Sequence, residues 1–248
     1  MKLNWDYTEL ASTYDDRADY DSSLIAKVYS FHKLGSNPTI LDMGAGTGKL
    51  TKELVKQECQ VIASEPNEAM REIGKKNITN PNCRWIASSG ESINVSENSI
   101  DSIWFGSSFN VIDHNFLKKE LQRILKPASW LTCLWNHRDL EDSVQKSVEE
   151  IIKREIPKYN YGSRRQDPTS EINDMELFQE VTNYEGRFEV TFSKTSYIEA
   201  WKSHATLQRQ CRDQKHFLEL IRKIEENLND YPELVVPYVT RLWTARIK

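Results

Sequence analysis

ILDMGAGTGKL, residues 40–50, joins an apolar, strand-like run to a helix-like one through three glycines spaced by single residues. The chain of 248 residues holds nine glycines, so three of the nine fall within five positions, Gly44, Gly46 and Gly48. A glycine costs backbone entropy and is kept where the chain must turn sharply or let backbone come close to a ligand. A strand, a glycine turn and a helix in that order point helix-terminal N–H groups at a bound group. Glu65 closes the next strand-like run, 21 positions after Gly44. An acid there can accept both hydroxyls of a ribose. Turn, strand and acid together indicate a bound nucleoside.

Outward from this unit, strand-like and helical runs alternate. Strands are expected at 39–43, 60–64, 83–87, 99–105 and 130–135, with amphipathic helical spacing between them. Asn67 and Pro66 open one helix, and Phe116, Leu117, Leu121, Ile124 and Leu125 mark the face of another, ended by Pro127. Such alternation argues for an α/β sandwich, a largely parallel sheet with helices on both faces. The second half changes character. Residues 140–183 read as helical and polar around the loop NYGSRRQDPTS, 187–195 as a strand, 196–228 as helical and 233–247 as a last strand. Pro237 inside that strand conflicts with a central position, because proline suits edges and bulges. The expectation is one domain over 1–248, divided into a cap (1–34), a cofactor-binding core (35–139), a helical insertion (140–183) and closing strands with lid helices (184–248).

Composition bounds the function. Lys+Arg 33 against Asp+Glu 37 leaves a net charge of −4, which advertises no nucleic acid or membrane surface. No apolar run nears the roughly 20 residues of a membrane span. The opening MKLNWDYTEL carries acids early, so no secretory leader is expected. Four scattered cysteines without a CxxC read as reduced thiols of a cytoplasmic protein, and five scattered histidines form no metal set. A dinucleotide turn would need G-x-G-x-x-G, but position 49 is Lys49. Asp42, two residues before the first glycine, would repel a pyrophosphate and welcome a sulfonium or ammonium. A nicotinamide-dependent oxidoreductase is thereby disfavoured.

LDMGAGTG resembles the first motif of class I S-adenosylmethionine-dependent methyltransferases. RWIASSGESINVSENSID, residues 84–101, is similar to their second nucleoside-binding loop, and FGSSFNVID, 105–113, to the segment bordering the acceptor in small-molecule members, the trans-aconitate methyltransferase-like ones included. WDYTELASTYDDRADY resembles their N-terminal cap, and VVPYVTRLWTARI their last strand. The resemblance implies a Rossmann-like three-layer sandwich, seven strands with the last antiparallel, and a helical cap. It implies S-adenosyl-L-methionine as cofactor, held by Asp42, Gly44, Ala45, Gly46, Glu65, Pro66, Met70, Ser89, Gly90 and Gly106, with Tyr14 and Arg17 closing from the cap. Asn110, Asn136, Arg164, Arg165 and Trp201 are expected on the acceptor side. His137 is the candidate general base, and Asn110 can orient but not deprotonate.

The expected activity is methyl transfer to an O or N nucleophile of a small molecule or short peptide, by a monomer or homodimer. A cofactor-binding protein without catalysis is the alternative, since binding and transfer are separable.

Overall fold

The computed structural model describes Thr8, Tyr14 and residues 17–248, without the side chains of Ser163 and Arg164. Tyr7 of the expected cap lies outside the described residues.

Seven strands form one sheet in the order β3-β2-β1-β4-β5-β7-β6. They are β1 Thr39–Met43, β2 Gln60–Ser64, β3 Cys83–Ile86, β4 Ile100–Gly106, β5 Leu125–Arg138, β6 Phe178–Ser193 and β7 Glu233–Ile247. β1 to β5 pair in parallel, and β7 runs antiparallel to both β5 and β6. The largely parallel sandwich expected from the alternation, and the seven strands implied by the resemblance, are the observed fold.

Helix α1 (Ser22–Phe31) and α2 (Lys49–Leu54) cover one face, where Leu24, Ile25, Leu50 and Leu54 pack on Ile40, Val61 and Trp104. α3 (Glu68–Asn77) connects β2 to β3. α4 (His114–Ile124) covers the opposite face, where Leu117, Leu121 and Ile124 meet Leu41, Met43, Ile103 and Phe105. Polar residues start α1, α3 and α4 as capping chemistry requires. Asp21 accepts the Leu24 N–H, Asn67 that of Met70, and Asp113 that of Asn115.

A second core forms the cap. α5 (Ser143–Glu155), α7 (Lys194–Lys202), α8 (Ala205–Gln210) and α9 (Gln214–Asn227) bury Val148, Ile152, Trp201, Phe217 and Leu220 against Phe192, Leu234 and Val236. The last three belong to the ends of β6 and β7, which run on as a two-stranded ribbon.

Three sequence expectations need correction. α1 is not part of the cap; its apolar stripe lies on the sheet with α2. Segment 140–183 is divided: α5 joins the cap, while α6 (Thr169–Asp174) and Phe178 join the sheet core through Ile172 and Met175. β6 begins at 178 rather than 187, its start disguised by a register irregularity between Gln179 and Thr182.

Pro237 sits inside an interior strand, and the sheet accommodates it. Its carbonyl accepts the Asp139 N–H, so this residue faces the β5 side. β5 ends at Arg138, opposite Tyr238. The missing proline N–H would face the Asp139 carbonyl, which accepts the Asp142 N–H at 3.4 Å as the chain turns away from the sheet.

Candidate active site

The glycine turn is built by backbone geometry. Gly44, Gly46 and Gly48 have φ of 74°, 58° and 92°, a region costly for other residues. A Cβ on Gly44 would stand 2.6 Å from Cβ of Ser108. The Gly44 and Ala45 N–H groups both donate to the Ser64 carbonyl at 2.9 Å, which docks the turn on the end of β2.

Glu65 follows at the end of β2. Its Oε2 accepts the Gly46 N–H at 2.9 Å and its Oε1 the Asn67 N–H at 2.8 Å. The carboxylate is aimed by two amides from separate segments, and each oxygen keeps a further lone pair. Burial raises its pKa, against the two N–H donors and Arg71. Pro66 is exposed beside it and Met70 is buried on α3.

The second loop is tied down close by. Ser64 Oγ donates to the Ser88 carbonyl at 2.9 Å, and Ser89 bridges Ser92. Gly90 is buried against Ile112, whose side chain a Cβ would strike at 2.6 Å. Arg123 donates to the carbonyls of Ile93 and Val95, both at 2.7 Å.

A cavity opens over the turn. Its floor is Gly44–Thr47, Lys49, Leu50, Gly106 and Ser107; its far wall is Asn136, His137 and Arg138 from the end of β5. Tyr159, Tyr161 and Arg165 close one side, and Tyr197, Trp201, His204 and Tyr238 the roof. Tyr14, Arg17 and Tyr20 border it from the N-terminal segment. Of the expected residues, Gly44, Ala45, Gly46, Gly106, Tyr14, Arg17, Asn136, His137, Arg165 and Trp201 meet here. Glu65, Pro66, Met70, Ser89 and Gly90 group at the ends of β2 and β3, beyond the cavity wall.

Residues 17–21 lie along the rim. Arg17 donates to the Ser203 hydroxyl at 3.1 Å and to the Ser203 carbonyl, both at the end of α7. Asp19 takes Lys49 at 3.1 Å and Lys52 at 2.8 Å, both on α2. Tyr20 Oη meets Ser107 Oγ at 3.0 Å. Asn136 has both ends of its amide engaged: Nδ2 donates to the Asp19 carbonyl at 2.7 Å and Oδ1 accepts from Thr240 at 2.6 Å. Its place in the wall is that of a fastener for this segment rather than a hand for an acceptor.

Two expected roles are displaced. Asp42 does not face the cavity. Strand alternation turns it beneath α2, fully buried, where Oδ2 accepts the Thr51 hydroxyl at 2.6 Å and Oδ1 has no partner. Burial, with the neighbouring charge of Glu65, raises its pKa to about 7 despite the Thr51 bond. It does not line the cavity, so it makes no direct contact with a group bound there. Asn110 lies in the short turn Phe109–Val111, outside the cavity wall, and its Oδ1 accepts the Trp135 indole N–H at 3.1 Å. Trp135 belongs to the α4-side core. The side chain of Arg164 lies outside the described residues.

Sequence reasoning missed Tyr197, Tyr238 and Ser107 as wall residues. Tyr197 was within reach, four positions before Trp201 and so on the same helix face. Tyr238 depends on pairing opposite Arg138, which no local pattern reveals.

Residues 41–133 match the methyltransferase domain family. Over those residues the chain is similar to a methyltransferase domain. Similar proteins include an uncharacterized methyltransferase of Schizosaccharomyces pombe, 31% identical over 133 residues, 53% of this chain and 52% of that one. An uncharacterized methyltransferase of Mycobacterium tuberculosis is 31% identical over 116 residues, 47% of each chain. The chain thus spans about half the length of the curated relatives it matches. The solved structure of a candidate type II methyltransferase from Anaeromyxobacter dehalogenans superimposes with a TM-score of 0.66 at 15% identity, over 93% of this chain and 97% of that one. That likeness shows a common fold. The matched residues end inside β5, so the cap lies wholly beyond them.

Proposed function

We propose that the protein transfers a methyl group from S-adenosyl-L-methionine to an O or N nucleophile of a small-molecule acceptor. The observation that carries this reading is one continuous cavity, with the methyltransferase domain's glycine turn as its floor and the cap's aromatic residues as its roof. Donor and acceptor can meet only where both walls are present.

The residues fit the cofactor. Three glycines stand at positive φ, the position of a Cβ on Gly46 is open space, and Glu65 is held ready for two hydroxyls. The cofactor supplies a methyl group on a sulfonium when bound. Glu65 would hold the ribose, and Gly44–Gly46 and Gly106 would flank the methionyl portion. Arg17, anchored to the cap, would take its carboxylate. Trp201, Tyr197 and Tyr238 wall out water above the acceptor.

Alignment of this kind lowers a bimolecular barrier by up to about 7–11 kcal/mol. His137, buried in the wall at the end of β5, takes the proton of an acceptor hydroxyl or ammonium. An acceptor that arrives deprotonated needs no such step, and His137→Gln then leaves turnover intact.

The test combines two measurements. S-adenosylmethionine or S-adenosylhomocysteine at millimolar concentration raises the melting temperature, and NADH does not. Incubation of a metabolite extract with deuterated cofactor yields a compound three deuterons heavier in its new methyl group. Binding without any labelled product would favour a non-catalytic role; no thermal shift would end the reading.

A further inference from the structure

The cavity's charge is unbalanced in a way that neither the glycine turn nor the cofactor explains. Arg138 lies 4.1 Å over the Trp201 ring, and Arg165 lies 4.0 Å over the Tyr161 ring. Both guanidiniums line the cavity. The carboxylate beside them is Glu149, only 4% exposed behind the wall on α5. It is already shared. Its Oε1 accepts the Tyr161 hydroxyl and has Lys153 at 3.4 Å, while Arg138 stands at 3.7 Å from Oε2. Arg138 spends a further N–H on Gln145 at 3.2 Å, whose oxygen also takes the Tyr197 hydroxyl at 2.7 Å. One carboxylate therefore stands among three cations, Arg138, Arg165 and Lys153. Burial and the Arg138 charge both depress the Arg165 pKa. Among the described residues, no aspartate or glutamate lines the cavity.

Arg165, set over the Tyr161 ring, offers its N–H edge to a ligand, while Arg138, with one N–H on Gln145 and another toward Glu149, adds its charge and its remaining N–H groups. From this geometry we infer that Arg138 and Arg165 form the acceptor's anion site, and that the acceptor is a small oxyanion, a carboxylate or a phosphate on a flat or apolar body. Tyr159, Tyr161 and Trp201 supply the surface for that body. Glu149 is a positioning residue, which fixes Arg138 and Tyr161 from behind. The inference rests on the methyltransferase reading for the word acceptor, but the anion site itself is independent of it.

The probes are benzoate, phenyl phosphate and benzamide, titrated calorimetrically with and without S-adenosylhomocysteine. Benzoate or phenyl phosphate is expected to bind, with benzamide, the neutral isostere, at least about tenfold weaker. The stronger of the two anions identifies carboxylate or phosphate as the matching chemistry. Arg165→Gln should weaken the anion at least about tenfold, and Arg165→Lys less, since lysine keeps the charge but not the fork. Affinity for S-adenosylhomocysteine should stay within twofold in both variants, which also reports that they fold. Equal binding of benzamide and benzoate, failure of both anions, or unchanged anion affinity in Arg165→Gln would overturn the site. Anion binding without any S-adenosylhomocysteine binding would leave the site standing and reject the methyltransferase reading instead.

Discussion

Asp42→Asn gives a direct reading of what burial does beneath the glycine turn. The wild-type carboxyl is fully buried, with one bonded oxygen and one orphan, and its pKa rises from 3.8 to about 7. Between those values the native protein keeps a proton that the unfolded chain releases. Stability from this group is therefore complete below about pH 4 and lost as pH climbs through 7. Three decades of proton affinity at about 1.4 kcal/mol each make the loss about 4 kcal/mol. Asparagine keeps the shape and the acceptor for Thr51 but does not titrate. Urea unfolding of both proteins from pH 4 to pH 8 isolates Asp42 and its coupling to Glu65, because groups not coupled to Asp42 cancel in the difference. The variant should gain on the wild type steadily with pH, by about 4 kcal/mol across the range. A difference flat within about 0.5 kcal/mol would refute the reasoning, and would mean that the carboxylate stays ionised under α2.

Three further outcomes are expected. Glu65→Gln should lower S-adenosylhomocysteine affinity about ten- to hundredfold by calorimetry, since its NH₂ group faces one of the two backbone donors now held by the carboxylate. In the wild type the same affinity should fall as pH drops, earlier than for an ordinary glutamate, because the raised pKa brings protonation sooner. Gly44→Ala should cost about 2–3 kcal/mol and about 5–10 °C in melting temperature, from the positive φ and the 2.6 Å clash with Ser108. Asp19→Asn should change global stability by under about 1 kcal/mol, as half-exposed ion pairs do, yet speed hydrogen exchange at residues 17–21.

What could be read from the sequence was local. The glycine turn, Glu65 and the strands before them are continuous segments whose chemistry and period are written in neighbouring residues. The β6 start escaped because its first residues lack alternation and Glu180 sits at a φ of 52°, where pairing slips. Site residues from 105 onward depended on which sheet face each one meets. Asn110 and His137 look equivalent in sequence, each just after a strand, yet one joins the Trp135 side and the other the cavity. Asn136 was assigned to an acceptor because its hydrogen-bond partners, Asp19 and Thr240, are over 100 positions away. Arg138 and Arg165 acquire a shared purpose only when β5 and the 162–165 turn are brought side by side.

The end of β5 at Arg138, with Pro237 just past it, marks where β6 and β7 part from the sheet and carry the cap alone. Ribbon and helices then share few obligations with the cofactor half. Substitutions in α5, α7 or α9 can reshape the roof without disturbing a single parallel strand pair. The cavity's floor and its roof thus rest on separate cores, so the roof can change shape while the floor stays as it is.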